Sequence, residues 1–241
     1  MKKPLFLITV LLILGIIAST TLAFPDPKIH PNKEPVDKIT FIHYKNGNTK
    51  AVLPKRTVCY SLLGIKWRAL PISYVVNPTN SGFSNDQDVL NAINAATYEW
   101  DRNTNAGLFI TPNFTDTKAD WDNSTPDGVN EYVFGEWPDL DVISVTNIWY
   151  TRRSRQIVDY DVLFNTNFYW ADCTVAGTNC SKAMDLQNIA THETGHGIGL
   201  DDVYSNACST VTMYGYSWYG DIGKRDLAPA DITGLQMLYG K

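Results

Sequence analysis

Apolar positions in this 241-residue chain cluster in runs with different periods. From Asn85 to Asp101, Val89, Ile93, Ala96 and Trp100 recur three or four residues apart, which places them on one face of a helix, and Asn85 or Asp86 can cap its first turn. A second helix is expected over Met184–Ile198. A third is expected over Pro229–Tyr239, with proline in its first turn, Gly240 past its end, and Leu235 and Leu238 facing a core. Pro71–Asn77, Leu108–Thr111, Asp141–Trp149 and Tyr160–Asn165 have strand character. Ile39–Val52 alternates around Asn46-Gly47 and predicts a hairpin, read either as a small pro-segment or as an extra strand pair on the main domain. Thr115–Glu131 is polar and carries Asp116, Asp120, Asp122 and Asp127. It reads as a solvated acidic loop; its oxygens could hold Ca2+, although the spacing is not that of an EF-hand.

The first 23 residues have the plan of a secretory signal: Lys2 and Lys3, an apolar stretch from Leu5 to Ala18, and a small residue at the end of Thr21-Leu22-Ala23. The expectation is export with cleavage; an uncleaved membrane anchor is the alternative, and the apolar run is short for a span. Residues 24–60 then form a Pro- and charge-rich linker with the hairpin or short pro-segment, and 61–241 the main domain. Without Lys2 and Lys3 the chain has 18 basic residues against 25 acids, a net charge of −7, which argues against nucleic acid as a partner. After signal cleavage no membrane contact is expected, and the protein reads as a monomer. Four cysteines in an exported chain suggest two disulfides, with three pairings open; Cys173 with Cys180 would close a short loop and leave Cys59 with Cys208.

The chemistry concentrates in His192–Asp202, HETGHGIGLDD. Residues four apart share a helix face, so His192 and His196 can bind one metal ion. Glu193, beside them, can take a proton from a water on that metal. Gly199 can adopt the left-handed backbone that ends a helix and turns Asp202 back as a third, oxygen ligand. Two imidazoles and one carboxylate leave a tetrahedral zinc one open position, the arrangement of a hydrolytic site. The remaining histidines, His30 and His43, read as ordinary solvated residues.

HExxHxxGxxD followed by a methionine turn at Thr212-Met213-Tyr214 resembles the metzincin zinc peptidases, and within them the matrixins. Trp67 with Ile72–Asn77 (ISYVVN), Asp161–Asn165 (DVLFN) and Leu227–Gly240 (LAPADITGLQMLYG) extend the resemblance over about Trp67–Lys241. The resemblance implies an α+β catalytic domain: a twisted mixed β-sheet with about three α-helices, the active-site helix carrying HExxH, and extended peptide bound along an edge strand. It implies catalytic zinc on His192, His196 and Asp202, Glu193 as base, Met213 beneath the site, and Tyr214 and Tyr216 as pocket wall or oxyanion support.

Four departures from the matrixin pattern stand out. Asp202 replaces a third histidine, and its charge makes a water on the metal less acidic. The structural zinc of matrixins, held by three histidines and an aspartate, cannot be built from His30 and His43. Cys59 lacks the PRCGxPD context of a cysteine-switch propeptide, and Gly215 and Ser217 replace the Pro and Tyr that follow the methionine turn. Asp201, Asp221, Asp226 and Asp231 are the other third-ligand candidates. The function expected is a secreted zinc endopeptidase acting on polypeptides; the alternative is a non-catalytic, zinc-stabilised extracellular binding or surface-layer module.

Overall fold

In the computed structural model, which describes residues 34–45 and 58–241 apart from Asn113, local propensity and long-range pairing divide the chain into short elements. They run β1 (Val36–Lys45), β2 (Ser61–Leu62), β3 (Ile72–Ser73), β4 (Val75–Val76), α1 (Asp86–Asp101), β5 (Phe109–Ile110) and β6 (Glu131–Gly135). Then follow β7 (Val142–Thr151), β8 (Ile157–Asn165), β9 (Tyr169–Ala171), β10 (Ala183–Asp185), α2 (Leu186–Gly197), β11 (Leu200–Asp201), β12 (Tyr216–Ser217) and α3 (Pro229–Tyr239). The mixed sheet with three helices is the α+β architecture expected.

The main sheet has the order β12-β1-β7-β8-β6-β4. Strands β4, β6 and β8 are parallel, β7 is antiparallel to β8, β1 is antiparallel to β7, and β12 joins parallel to β1. Helix α1 is capped by Asn85, whose side chain accepts from the Gln87 N–H, and it buries Val89, Ile93, Ala96 and Trp100. That stripe joins Tyr132, Tyr160 and Phe164 of the sheet and Ile189 and Ala190 of α2 in one core. Leu235 of α3 is buried and Leu238 packs at the edge of the same core.

Several local expectations change. Pro71–Asn77 is not one strand: β3 pairs with β5 and β4 with β6, and the buried Tyr74 lies between them. Strand β6 was not anticipated; its first four residues are buried, so it shows no alternation. The metal helix begins at Leu186 because Ala183–Asp185 pairs with β9 and the Asp185 carboxylate then caps α2 by accepting from the Asn188 N–H. The first arm of the expected hairpin is β1, whose partners among the described residues are β7 and β12; the second arm lies outside the described residues, as does the signal segment.

Both disulfides form, Cys59–Cys208 across 149 residues of sequence and Cys173–Cys180 across 7. The chain-entropy relation gives about 5 kcal/mol for the long loop and about 2 kcal/mol for the short one. Replacing Cys59 and Cys208 by serine is therefore expected to lower the urea midpoint about twice as far as replacing Cys173 and Cys180. Equal shifts would show that loop closure is not the main contribution.

Candidate metal centre

Helix α2 is buried along nearly its whole length, so its polar side chains need partners within the protein. Its start is fixed by Asp185, which also accepts from Arg225 Nε at 2.7 Å and Nη2 at 2.5 Å. Trp100 Nε1 donates to the Thr191 carbonyl at 2.8 Å, and Trp67 Nε1 to that of Gly197 at 2.9 Å. Gly195 permits close contact: a Cβ there would sit 2.7 Å from the Trp100 ring and nearer still to Met213 Sδ. The fully buried Met213 thus lies against the helix between the two histidines. Gly199 ends the turn at φ +104°, where a Cβ would strike the Ile65 carbonyl.

The turn brings Asp202 back to the histidines. Its Oδ1 lies 3.2 Å from His192 Nε2 and 3.5 Å from His196 Nε2. Each imidazole is oriented by its other nitrogen: His192 Nδ1 donates to the Thr212 carbonyl at 2.7 Å, and His196 Nδ1 to the Leu200 carbonyl at 3.0 Å. Both Nε2 lone pairs are therefore free, and burial, with the Lys224 ammonium nearby, pushes His192 down to about 3, so its ring is neutral. At His196 burial lowers the pKa, but the Asp202 carboxylate outweighs it and the net shift is upward. The two Nε2 atoms and Asp202 Oδ1 are buried and have no hydrogen-bond partner among the described residues. Ligands about 2.0–2.1 Å from a tetrahedral zinc lie about 3.3 Å from one another. The donor set therefore fits zinc in kind and in spacing.

The other third-ligand candidates are used elsewhere. Asp201 accepts from Ser61 Oγ, Asp221 from the Gly223 N–H, and Asp226 is largely exposed. The buried Asp231 accepts from the backbone N–H groups of Thr212 and Met213 at 2.9 and 3.1 Å, and so ties the methionine turn to the first turn of α3. Tyr216 lies on β12 beside β1, and its ring meets Tyr204 and Tyr214 edge-on. The Tyr214 hydroxyl donates to Asn206 Oδ1.

Several residues of the site were not singled out by sequence reading. Tyr204 donates its hydroxyl to Asp202 Oδ2 at 2.8 Å, while Oδ1 has no partner among the described residues. Glu193 accepts from Ser144 Oγ at 2.6 Å and Thr146 Oγ1 at 2.5 Å. Two small polar residues two apart in the apolar run of β7 were the available signal. Lys224, buried 3.5 Å from His192 Nδ1, donates to the Tyr214 carbonyl. His43 is not a solvated residue: it is 1% exposed, with Nδ1 2.9 Å from Glu193 Oε1. His30 lies outside the described residues.

The acidic loop is only partly solvated. Asp122 and Asp127 meet Asp159 of β8, one carboxylate oxygen from each lying within 4.8 Å of the others. Asp159 Oδ1, Asp161 Oδ1 and Glu131 Oε2 are buried around this cluster with no hydrogen-bond partner among the described residues. The cluster is linked by backbone donors: Asp122 N–H to Asp161, Gly128 N–H to Asp159, and Asp120 N–H to Glu131. Burial pushes Asp159 up to about 7 and raises Asp161 and Glu131 in the same direction. Asp116 instead accepts from the Lys118 N–H.

Removing the Asp202 carboxylate (Asp202→Ala) is expected to weaken zinc binding beyond the ~10–100-fold that loss of an outer partner costs. Tyr204→Phe should cost about tenfold, at the lower end of that range, and Asp201→Ala little. Competition with a chromophoric chelator measures all three, and equal affinities for the Asp202 and Asp201 variants would refute the ligand assignment.

The family model described as Matrixin matches residues 66–240. Matrix metalloproteinase-19 of Homo sapiens is 36% identical over 81 residues, which cover 33% of this chain and 14% of that protein. The chain thus spans about one-seventh of the length of this relative. The metal helix, the methionine turn and the closing helix all fall within the matched region, and the chain belongs to the matrixin family.

Proposed function

We propose that the protein is an exported zinc endopeptidase that acts on polypeptides. The observation that carries this reading is the convergence of His192 Nε2, His196 Nε2 and Asp202 Oδ1, three buried donors without other partners, beside the Glu193 carboxylate. Zinc held there would polarise a substrate carbonyl and acidify a water. Ser144 and Thr146 fix the orientation of Glu193, which takes the proton of the attacking water and passes it to the departing amine. Export rests on the plan of the first 23 residues.

We also propose that Asp122, Asp127 and Asp159, backed by Asp161 and Glu131, hold a structural calcium ion. Oxygen donors in this number suit that hard cation, and the buried, unpartnered carboxylate oxygens support the reading.

Two sets of measurements test these readings. A mixed peptide library should be cut by the zinc-loaded protein, assayed both intact and after cleavage of the chain between Lys45 and Cys59, and chelator should stop the cutting. Glu193→Gln should retain zinc and lose about 10²–10⁴-fold in kcat/KM. A zinc-loaded protein that cuts nothing in either form, or an unimpaired Gln variant, would overturn the peptidase reading. For calcium, the raised carboxyl pKa values set the sign. The folded state keeps protons that the unfolded chain has released, so without cation stability falls as pH rises from about 4 through about 7. Calcium at a hundredfold excess over its Kd should restore about 5–10 °C of Tm at pH 8, and Asp159→Asn should abolish the gain. Equal Tm with and without calcium would rule the site out.

A further inference from the structure

The turn between β7 and β8 grips a carboxylate of its own chain as an anion site grips a ligand. Residues Thr151 to Gln156 close this hairpin. The Thr151 N–H donates to the Gln156 carbonyl at 2.8 Å, the Arg155 N–H donates to the Thr151 carbonyl at 3.0 Å, and Arg155 turns the chain at φ +55°. The Arg152 N–H donates to the Pro35 carbonyl at 2.9 Å. The N–H groups of Arg153 and Ser154 remain, and both donate to Glu34 Oε1, that of Ser154 at 2.7 Å. The Ser154 hydroxyl donates to Oε2 of the same carboxylate at 2.8 Å. Three donors thus converge on one anion, two of them successive backbone N–H groups, which is the arrangement of an anion-binding nest.

The surroundings of this nest are cationic, in a chain whose net charge is −5. Arg152, Arg153 and Arg155 project from the turn itself and are exposed. Arg68, also exposed, reaches it from the segment before β3, its Nη2 donating to the Ser154 carbonyl at 3.0 Å. Arg155 donates to the Leu63 and Gly64 carbonyls at 3.0 and 3.2 Å and lies over the Tyr150 ring. Among the described residues, Arg152 is the one guanidinium of these four that forms an ion pair, with Asp37 at 2.6 Å. Carbonyl contacts orient Arg68 and Arg155 but leave their charge unopposed.

We propose that the β7–β8 turn is a binding site for phosphate, free or carried by a lipid headgroup, and that Glu34 is its tethered occupant. The site goes beyond the peptidase reading and does not depend on it. A phosphate group offers oxygens to the same three donors. It adds further oxygens and charge for the guanidinium groups, whose planar fork matches phosphate. Glu34 is held beside the turn by the pairing of β1 with β7, so it competes at an effective concentration on the order of millimolar. A single phosphate therefore displaces it poorly, whereas a surface bearing many headgroups engages several arginines at once.

Backbone amide NMR of the full chain, titrated with inorganic phosphate at low ionic strength, reads the site directly. In Glu34→Ala the Arg153 and Ser154 amide resonances should shift saturably, with an affinity about tenfold above that of the unsubstituted chain. Glu34→Gln, which removes the charge and keeps the side-chain length, should move affinity in the same direction. Adding Arg153→Glu or Ser154→Ala to Glu34→Ala should weaken binding about tenfold. The amide resonances of α2, recorded in the same spectra, confirm that each variant is folded. Vesicles separate the two sources. If the headgroup is the ligand, the unsubstituted chain should sediment with phosphatidylcholine vesicles containing phosphatidic acid, not with phosphatidylcholine alone, and Arg153→Glu should release it. Phosphate binding by Glu34→Ala without vesicle binding assigns the site to free phosphate. The proposal is overturned if neither Glu34 variant shows a saturable shift of the two turn resonances. It is overturned equally if phosphate affinity is unaffected by Arg153→Glu and Ser154→Ala.

Discussion

A helix that carries two imidazoles and a carboxylate out of reach of water is stable only if its polar atoms find partners in the surrounding protein. That requirement organises the matrixin domain seen here. The Thr212 and Leu200 carbonyls take one nitrogen from each histidine, and Ser144 and Thr146 bind the carboxylate. Asn188, on the same helix, accepts from the Lys224 N–H at 2.6 Å and so joins the loop after β12 to α2. Once these bonds are made, the donor atoms left over face one another. His192 Nε2, His196 Nε2 and Asp202 Oδ1 are among the buried atoms that this network leaves unpaired, and the bonds around them hold them in place.

The same network ties the site to distant elements. Asp231 belongs to the first turn of α3, yet its two oxygens hold Thr212 and Met213, and Thr212 in turn orients His192. Arg225 bridges Asp172 and Asp185, linking the loop after β9 to the cap of α2. A disturbance at Asp231 would thus reach His192 through one intermediate residue, Thr212. Structural neighbours and ligands cannot be separated by distance alone; they differ in whether an unpaired donor atom remains.

Features set by local spacing could be read from the sequence. His192, Glu193 and His196 share a helix face, Gly199 turns the chain, and the Val89–Trp100 stripe is a single helical period, so each follows from residues a few positions apart. Asn85 and the proline opening α3 announce their helix starts in the same way. Features made by pairing at long range were hidden. Ser144 and Thr146 lie almost fifty positions before their partner Glu193, and His43 lies 150 before it. His43 follows the solvated look of its neighbours Lys38, Tyr44 and Lys45, and only the register of β1 on β7 turns it inward. Nothing near Asp159 and Asp161 in sequence marks them as buried; the polar loop before β6 folds back onto them through the Asp122 and Gly128 N–H groups. The continuous burial of β6 removed the alternation that would have marked it.

The Cys59–Cys208 bridge gives the order of residues around it a meaning that its stability contribution does not. It stands just beyond the segment that joins β1 to the body, so it acts as a fence post. A nick before Cys59 leaves the amino-terminal piece with no covalent hold, free to diffuse away. A nick after Cys59 severs the backbone too, but that piece stays chained to the methionine-turn region through sulfur. Two cuts only a few residues apart would therefore have opposite fates in an oxidising medium and the same fate once thiols are reduced.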